Sequence, residues 1–264
     1  MFITLQYLLP KQLLSRLGGY LANCKITWVK NSLIHAALKH YTIDMKTAKQ
    51  KDPFSYPSFN AFFTRELAKQ AAEYFPEPPQ WGAPAEGILS QFGQTDAGHL
   101  IQAKGKKYSV QSLLSDHPCA KSLQEGSFAT IYLAPHNYHR VHSPIAGTIT
   151  EIQFIPGKLF SVNLKTAAGI DGLFAQNERM VFYITSTQGC LAFVMVGALM
   201  VSGIRTRFPQ GSGLSIPIQI GDELGYFDFG STVVLVSEKP LQFNLIEGSP
   251  TTLGLPFASS LTSR

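Results

Sequence analysis

Three of the seven histidines in the chain recur at every third position of one segment between Pro135 and Pro144. They are His136, His139 and His142. Neighbouring imidazoles titrate near neutrality and can act as a base in one step and an acid in another, or they can ligate Zn²⁺. The flanking prolines disfavour the helix that would align three ligands, and the chain has no His-Glu-x-x-His pattern. The cluster therefore favours proton transfer over a metal site.

A serine that such a base could activate follows a glycine near the C-terminus. Gly230 and Ser231 precede the β-branched run Thr232–Val236, where a tight turn leads into a predicted strand. In such a turn the serine hydroxyl can reach the preceding carbonyl carbon, and glycine tolerates the backbone conformations that this requires. We interpret Gly230-Ser231 as a bond that the chain can cut by itself.

A carboxylate that could orient the base lies in a short internal repeat. Pro84–Gly87 and Pro144–Gly147 are both Pro-x-x-Gly segments followed by a predicted strand, and the second begins two residues after His142. A base that activates a hydroxyl is usually oriented by an acid. The repeat would bring Glu86 of the first segment close to His142. The predicted relay is therefore Glu86, His142 and Ser231.

The elements that must position these residues are mostly strands. From Trp81 onward, short β-branched or aromatic segments alternate with glycine and proline, as is typical of β-rich domains. The predicted strands are 128–133, 148–154, 180–185, 191–200 and 232–236. We predict an α+β fold, with N-terminal amphipathic helices followed by a β-rich, barrel-sandwich-like catalytic body. The expected domains are a helical, membrane-associating segment over residues 1–70 and a catalytic domain over residues 71–264.

The first 50 residues are basic and partly amphipathic. They carry seven lysines and arginines against one carboxylate, Asp44. The apolar positions at helical spacing are Leu13, Leu14, Leu17, Tyr20 and Leu21. Such a segment indicates an anionic partner, either lipid or nucleic acid. Its helices either pack on the core of the domain or lie in a membrane interface, and no apolar run reaches the roughly 20 residues that span a bilayer.

The composition excludes several other classes of protein. With 45% hydrophobic and 15% charged residues, the chain is expected to be ordered. Its three cysteines, Cys24, Cys119 and Cys190, are odd in number and widely spaced. They argue against a disulfide framework or a Cys-x-x-Cys metal site, and they fit a reducing compartment.

Proline-rich sequence around residues 51–82 predicts only short helices there. One is expected within Phe59–Leu67, with Ser58 as its N-terminal cap. The aromatic residues of this segment are most simply core residues. Arg65 is either a surface ion-pair residue or a contact for an anion.

Taken together, these motifs resemble the phosphatidylserine decarboxylase family. The segments that carry the resemblance are Phe59–Leu67, Pro84–Gly87, Tyr138–Gly147, Leu159–Asn163, Leu173–Arg179 and Phe229–Thr232. The resemblance extends from about residue 5 to residue 245. Each motif alone is a weak signal, whereas their joint occurrence in this order is highly specific.

The resemblance implies an enzyme that makes its own pyruvoyl cofactor from Ser231. In the family, the serine attacks the preceding carbonyl to give an ester, and β-elimination then leaves dehydroalanine, which hydrolyses to pyruvoyl and ammonia. Cleavage at Gly230-Ser231 would give a β chain of residues 1–230 and an α chain of residues 231–264. The pyruvoyl ketone would form a Schiff base with phosphatidylserine and withdraw electrons as CO₂ leaves, giving phosphatidylethanolamine.

The resemblance also assigns roles to the candidate residues. His142 matches the family histidine that activates the serine, and Glu86 matches the acid that orients it. His139 matches the histidine associated with decarboxylation, and we expect it to bind substrate and to protonate the product carbanion. Tyr138 is expected to shape the same substrate pocket. No metal is expected.

Two positions depart from the family pattern. The family acid is usually aspartate, whereas Glu86 is one methylene longer, so maturation is expected to be slower or unchanged. Phe229 stands where the family often has leucine, which affects packing more than chemistry.

The expected partners are phosphatidylserine and an anionic membrane surface, with no nucleic acid. The α and β chains would form a heterodimer that can dimerise further, on the cytoplasmic side of the cell membrane as a peripheral protein. Two alternatives come from other classes of protein. One is a zinc-dependent hydrolase that uses His136, His139 and His142, and the other is a non-catalytic lipid-binding module.

Overall fold

Most of the chain after residue 80 is β-strand, and short helices precede and interrupt the strands. The computed structural model describes residues 6–7, 10–199, 203–228 and 230–261. The α-helices are α1 Lys11–Ala22, α2 Thr27–His40, α3 Phe59–Phe63, α4 Val110–Leu113, α5 Leu164–Ala167 and α6 Leu173–Gln176. The strands are β1 Gln80–Gly82, β2 Gly87–Gln94, β3 His99–Ala103, β4 Lys106–Ser109, β5 Ser127–Leu133, β6 Arg140–His142, β7 Gly147–Ile155, β8 Arg179–Ser186, β9 Gly189–Val196, β10 Ile204–Arg205, β11 Gly211–Ile218, β12 Glu223–Phe227, β13 Ser231–Ser237, β14 Leu241–Phe243, β15 Pro250–Thr251 and β16 Pro256–Ser260.

One antiparallel sheet of eight strands organises the β-rich body. Its strand order is β11-β7-β8-β9-β13-β5-β2-β15. A smaller sheet, in the order β10-β12-β6, holds the histidine segment. Strand β13 lies between β9 and β5, so its backbone is hydrogen-bonded along both edges. The first residue of β13 is Ser231, which places the predicted cleavage site at the end of a central strand.

Both faces of the central strands β8, β9, β13 and β5 are mostly buried, which explains their continuous apolar runs. Side chains alternate between faces along a strand. On β13, Val233 and Leu235 pack in one hydrophobic cluster, whereas Val234 and Val236 pack in another. Ser231 has the same parity as Val233, so its side chain faces the first cluster. Every residue of β13 is buried.

The predicted α+β class with a β-rich body is confirmed, but a closed barrel is not observed. The terminal strands of the large sheet, β11 and β15, are not paired with each other within the described residues. Four of the five predicted strands occur within one residue of their expected bounds, whereas β9 ends at Val196, four residues before the predicted end. Both Pro-x-x-Gly segments end at the first residue of a strand, Gly87 in β2 and Gly147 in β7.

The short helix α3 ends earlier than the sequence suggested. Its cap is confirmed, because the Ser58 hydroxyl accepts a hydrogen bond from the Ala61 amide at 3.1 Å. At the other end, the Thr64 hydroxyl donates to the Asn60 carbonyl at 2.9 Å and Thr64 leaves the helical conformation. Arg65 therefore follows the helix instead of lying on it.

Helix α1 turns its small residues toward the body and its large apolar residues toward solvent. Ser15 and Gly19 are the buried residues of α1. The exposed apolar side chains of this helix are Leu13, Leu17, Tyr20 and Leu21. In α2, Ile34 is fully buried and packs in a cluster with Tyr56 and Phe62. The two helices thus contact the body through few side chains and leave an apolar surface uncovered.

Two cysteines that are far apart in the sequence are neighbours in the structure. The sulfur atoms of Cys119 and Cys190 lie 2.9 Å apart, and both residues are free thiols. Their wide spacing along the chain did not indicate this proximity, which arises because Cys190, near the start of β9, lies beside the short 3-10 helix Pro118–Lys121 that contains Cys119.

Candidate active site

Ser231 is placed by strand register next to the histidine segment. It is paired with Leu133, the last residue of β5. The loop that follows Leu133 contains His139 and returns to the cleavage segment, where the Phe227 amide donates to the His139 carbonyl at 3.1 Å. Ser231 is fully buried, and its hydroxyl has no hydrogen-bond partner in the structure. A buried, unsatisfied hydroxyl is costly, and such groups concentrate at functional positions.

Gly230 has the backbone conformation that the proposed self-cleavage requires of a glycine. Its φ is +31°, in the region that residues with a Cβ rarely adopt. A Cβ added at this position would meet nothing within 4 Å. The requirement for glycine here is therefore conformational, since space is available. Phe229, the departure noted from the sequence, lies outside the described residues.

His139 is a buried, neutral imidazole with one free lone pair. Its Nδ1 lies 2.8 Å from the Asn137 carbonyl, which can only accept, so the proton is on Nδ1. Nε2 is buried and has no partner. The ring packs against Phe63 with 4.0 Å between centroids. Burial lowers the pKa of His139 to about 3, which keeps Nε2 available as a base at neutral pH.

His142 is equally buried, but both of its ring nitrogens have partners. Nδ1 donates to the Gly221 carbonyl at 2.8 Å, and Nε2 lies 3.1 Å from the Tyr138 hydroxyl. Nε2 therefore accepts the hydroxyl proton of Tyr138. Burial lowers the pKa of His142 to about 4. Any transfer of a proton from Ser231 to His142 requires that the Tyr138 hydroxyl be displaced or take part.

The Glu86 side chain contacts the backbone of the histidine loop. One carboxylate oxygen of Glu86 accepts a hydrogen bond from the Tyr138 amide at 2.9 Å. The two Pro-x-x-Gly turns are adjacent, because the His142 amide donates to the Pro84 carbonyl at 2.9 Å. The structure thus brings Glu86 and His142 together on either side of Tyr138, without a hydrogen bond between their side chains in the described residues.

Several polar residues that the sequence did not single out hold this arrangement. Arg140 pairs with Glu223 at 2.9 Å and donates to the Thr64 carbonyl at 2.9 Å. Asp228, two residues before Gly230, accepts from Arg205 at 3.0 Å and from Asn60 at 3.1 Å. The only sequence signal for Asp228 was its position beside the predicted cleavage site.

A cavity of about 580 Å³ opens beside His142. Its polar lining includes Tyr138, Arg140, His142, Arg207 and Asp222. Neither Ser231 nor His139 lines it, although both are close in the chain to residues that do. In the uncleaved chain, therefore, solvent reaches one histidine of the pair through this cavity while Ser231 stays enclosed.

The zinc alternative receives no support from the positions of the histidines. Across the part of the chain that the structure describes, no group of three or more potential ligands is placed to hold a metal ion. His136 lies beside Tyr41, with 6.5 Å between ring centroids. The buried His139 and His142 instead use their Nδ1 atoms in hydrogen bonds to backbone carbonyls.

The fold and this site define an enzyme with a β-rich body and a buried serine beside two neutral histidines. Residues 59–259 match a family model described as phosphatidylserine decarboxylase, and residues 1–42 match a second model described as PSD. The chain belongs to the phosphatidylserine decarboxylase family. The predicted family and the predicted class of enzyme, a carboxy-lyase, are confirmed.

Relatives described as phosphatidylserine decarboxylase proenzyme are similar over nearly the whole chain. The relative from Azotobacter vinelandii is 44% identical over 253 residues, which are 89% of this chain and 88% of the relative. The relative from Pseudomonas fluorescens is 41% identical over 274 aligned positions, covering 96% of this chain and 95% of the relative. That from Stutzerimonas stutzeri is 40% identical over 89% of this chain and 85% of its own length.

The lowered pKa values of the two histidines predict loss of stability in acid. Both pKa values lie below the ordinary value of 6.5. As the pH falls below about 6.5, the unfolded chain binds protons that the folded chain does not, so the free energy of unfolding decreases. Each histidine should contribute up to about 1.4 kcal/mol per pH unit between pH 6.5 and its folded pKa.

Denaturant unfolding of Ser231→Ala, which should remain one chain, at several pH values measures this slope. Adding His139→Asn should reduce the slope of the free energy of unfolding against pH. Between pH 6 and 4.5, the reduction should correspond to roughly one fewer proton bound on unfolding. His35→Asn, which makes the same substitution at an exposed imidazole, is the matched control. An equal slope in the His139→Asn protein would contradict the assignment of a neutral, buried imidazole.

Proposed function

We propose that this chain cleaves itself between Gly230 and Ser231 and then decarboxylates phosphatidylserine to phosphatidylethanolamine. The observation that carries the proposal is the buried, unpartnered Ser231 hydroxyl beside a glycine with a φ of +31°. A hydroxyl with no competing hydrogen bond, next to a carbonyl in a turn, is arranged for an intramolecular reaction. The names of the relatives, which include the word proenzyme, are consistent with processing.

Cleavage begins when the Ser231 Oγ attacks the carbonyl carbon of Gly230. The C–N bond breaks as the C–O bond forms, and the proton that leaves Oγ is returned to the new amine of Ser231. Removal of the Ser231 α-proton then expels the Gly230 carboxylate and leaves dehydroalanine. Water converts this group to pyruvoyl and ammonia, so the products are a β chain 1–230 and an α chain 231–264.

The residues around Ser231 fit a pyruvoyl group formed there. The group would form at a fully buried position, and His139 Nε2 and the Thr232 hydroxyl are further buried atoms that lack a partner. When formed, the group supplies an electron sink for the loss of CO₂. The protein then has to hold the headgroup and to return a proton to the product. We assign that proton transfer to His139, whose Nε2 must first bind a proton before it can donate one to the product.

We assign the activation of Ser231 to His142, with Glu86 as the residue that positions it. Support comes from the adjacent Pro-x-x-Gly turns and from the neutral state of His142. Because Nε2 of His142 accepts from the Tyr138 hydroxyl, Tyr138 is either displaced or relays the proton. Glu86 acts through the Tyr138 amide in this structure, so its effect is to fix the loop between the two histidines.

One observation favours a second assignment of the two histidines. His139 Nε2 and Ser231 Oγ are both buried and both lack a hydrogen-bond partner. An unprotonated imidazole nitrogen and a free hydroxyl are complementary. In this second assignment, His139 activates Ser231 during maturation as well as serving in decarboxylation, and His142 has a supporting role.

Intact mass spectrometry tests self-cleavage directly. The wild type should give two chains, of 230 and 34 residues, and Ser231→Ala should give one chain of 264 residues. Thr232→Val is the matched control, since the Thr232 hydroxyl is the adjacent one and is also buried without a partner. We expect Thr232→Val to be cleaved. An intact wild type that releases CO₂ from phosphatidylserine would contradict the mechanism.

Separate substitution of the two histidines tests their assignment. We expect His139→Ala to cleave and to lose most decarboxylation, about 100-fold or more, because a missing acid–base group typically costs 10²–10⁴-fold. His142→Ala should remain mostly uncleaved. Mass spectrometry and CO₂ release from phosphatidylserine give the two readouts. An intact His139→Ala protein would establish the second assignment instead.

We further propose that α1 and α2 lie on the surface of an anionic membrane. The large apolar side chains of α1 face away from the body, and Trp28 of α2 is 73% exposed. Lys11, Arg16 and Lys158 surround a cleft of about 490 Å³ at the base of α1. Apolar side chains beside cations suit insertion among anionic headgroups. No described helix is long and apolar enough to cross a bilayer.

Vesicle binding tests the membrane proposal. The variant Leu13→Ser/Leu17→Ser/Tyr20→Ser should co-sediment with phosphatidylserine vesicles at least tenfold more weakly than the wild type, because the apolar area for insertion is lost. These side chains are exposed, so folding and self-cleavage should be unaffected. Ile246→Ser, which removes another exposed apolar side chain, is the control. Unchanged binding of the triple variant would contradict this orientation of α1.

A further inference from the structure

Arg65 is a largely buried cation that forms no ion pair within the described residues, although the carboxylates of Glu86 and Asp44 act on it from a distance. The residue is 5% exposed, and its side chain makes no hydrogen bond or ion pair with any described residue. The contrast with Arg179, which is 3% exposed, is informative. Arg179 donates to the carbonyls of Leu113, Ser112 and Asn177 at 2.6 to 2.9 Å. Burying a guanidinium costs free energy unless it is paired, so an anionic acceptor that reached Arg65 would offset part of this cost.

Arg65 lies directly beside the candidate active site. The preceding residues run along the histidine loop: the Phe63 ring packs on His139 at 4.0 Å, and the Thr64 carbonyl accepts from Arg140 at 2.9 Å. The Arg65 guanidinium interacts electrostatically with Glu86, Tyr138 and His139. Glu86 is not close enough to form an ion pair, and its carboxylate oxygen is used by the Tyr138 amide.

We propose that Arg65 binds the phosphodiester of the phospholipid headgroup. The inference rests on the proposed function, since the headgroup is that of its substrate. This headgroup has two anions, the phosphodiester and the carboxylate. A cation paired with the carboxylate would stabilise the ground state and oppose the loss of CO₂, whereas the phosphodiester keeps its charge throughout the reaction. A guanidinium also matches two phosphate oxygens with two parallel hydrogen bonds.

The burial of Arg65 is compatible with this role. Ser231 and Arg65 are both enclosed in the uncleaved chain. Arg65 directly follows Phe63 and Thr64, which contact His139 and Arg140 of the histidine loop, so a headgroup held beside that loop would lie near Arg65.

Steady-state kinetics of Arg65→Lys and Arg65→Met, with phosphatidylserine in detergent micelles, test the proposal. Self-cleavage is measured first, by intact mass, and we expect both variants to be processed. The KM of Arg65→Met should rise about 10- to 100-fold, the effect of losing a charge-assisted hydrogen bond, with a smaller change in kcat. Arg65→Lys should recover part of the loss. Lys107→Gln, which removes an exposed cation paired with Asp96, is the control for charge.

Inhibition by the product shows which of the two headgroup anions binds Arg65. Phosphatidylethanolamine has the phosphodiester and no carboxylate, so its inhibition constant should rise by the same factor as KM in Arg65→Met. A raised KM with unchanged product inhibition would place the carboxylate on Arg65 and overturn the proposal. An unchanged KM in Arg65→Met would also overturn the proposal. Loss of self-cleavage in both variants would do so too, because Arg65 would then be needed for maturation. If the wild type neither cleaves nor releases CO₂, the proposed function itself fails.

Discussion

The buried position of Ser231 depends on strand β13 having a hydrogen-bonded neighbour along each edge. Residues 232–237 pair with β9, and residues 231–237 pair with β5, so the backbone needs no water. An edge strand could not enclose a serine in this way, because one of its backbone edges would require solvent. The same pairing places Ser231 opposite Leu133, from which the histidine loop departs. One strand register thus sets both the exclusion of water and the position of His139.

Exclusion of water explains the electrostatics of the site. It disfavours the charged form of each imidazole, so His139 and His142 are neutral over the range in which a free histidine would be partly charged. A neutral imidazole can accept a proton without first losing one. The two rings differ in the hydrogen bond at Nε2. The Tyr138 hydroxyl donates to Nε2 of His142, whereas Nε2 of His139 has no partner in the described structure. The two imidazoles could act alike in isolation, but their different hydrogen bonds leave only His139 with a free Nε2.

The sequence predicted the elements of this protein better than the contacts among them. Runs of β-branched residues located β5, β7, β8 and β13, since such runs fit a sheet that is buried on both faces. The repeated Pro-x-x-Gly turn predicted Glu86 close to His142, and in the structure the His142 amide is hydrogen-bonded to Pro84 of the turn that contains Glu86. It could not show that the Glu86 carboxylate accepts from the Tyr138 amide, because backbone amides leave no trace in a sequence pattern. The barrel-sandwich-like arrangement predicted for this body is not confirmed either, since it depends on strand order, which short strands do not encode locally.

Helical periodicity also left open which side of α1 contacts the body. In the structure, the side with the small residues makes this contact. Ser15 and Gly19 allow close approach to the body, whereas leucines on that side would hold the helix away. The helix is then fixed at its end by a polar link: Asn60 donates to Asn23, which follows α1, at 3.3 Å and to Asp228 at 3.1 Å. Asp228 precedes Gly230 by two residues, and Phe63, in the same short helix as Asn60, packs on His139. Helix α3 therefore contacts the N-terminal helices, the cleavage segment and the histidine loop at once. A displacement of α1 would therefore act on the position of Asn60 and, through α3, on both parts of the site, which connects the N-terminal helices physically to the candidate active site.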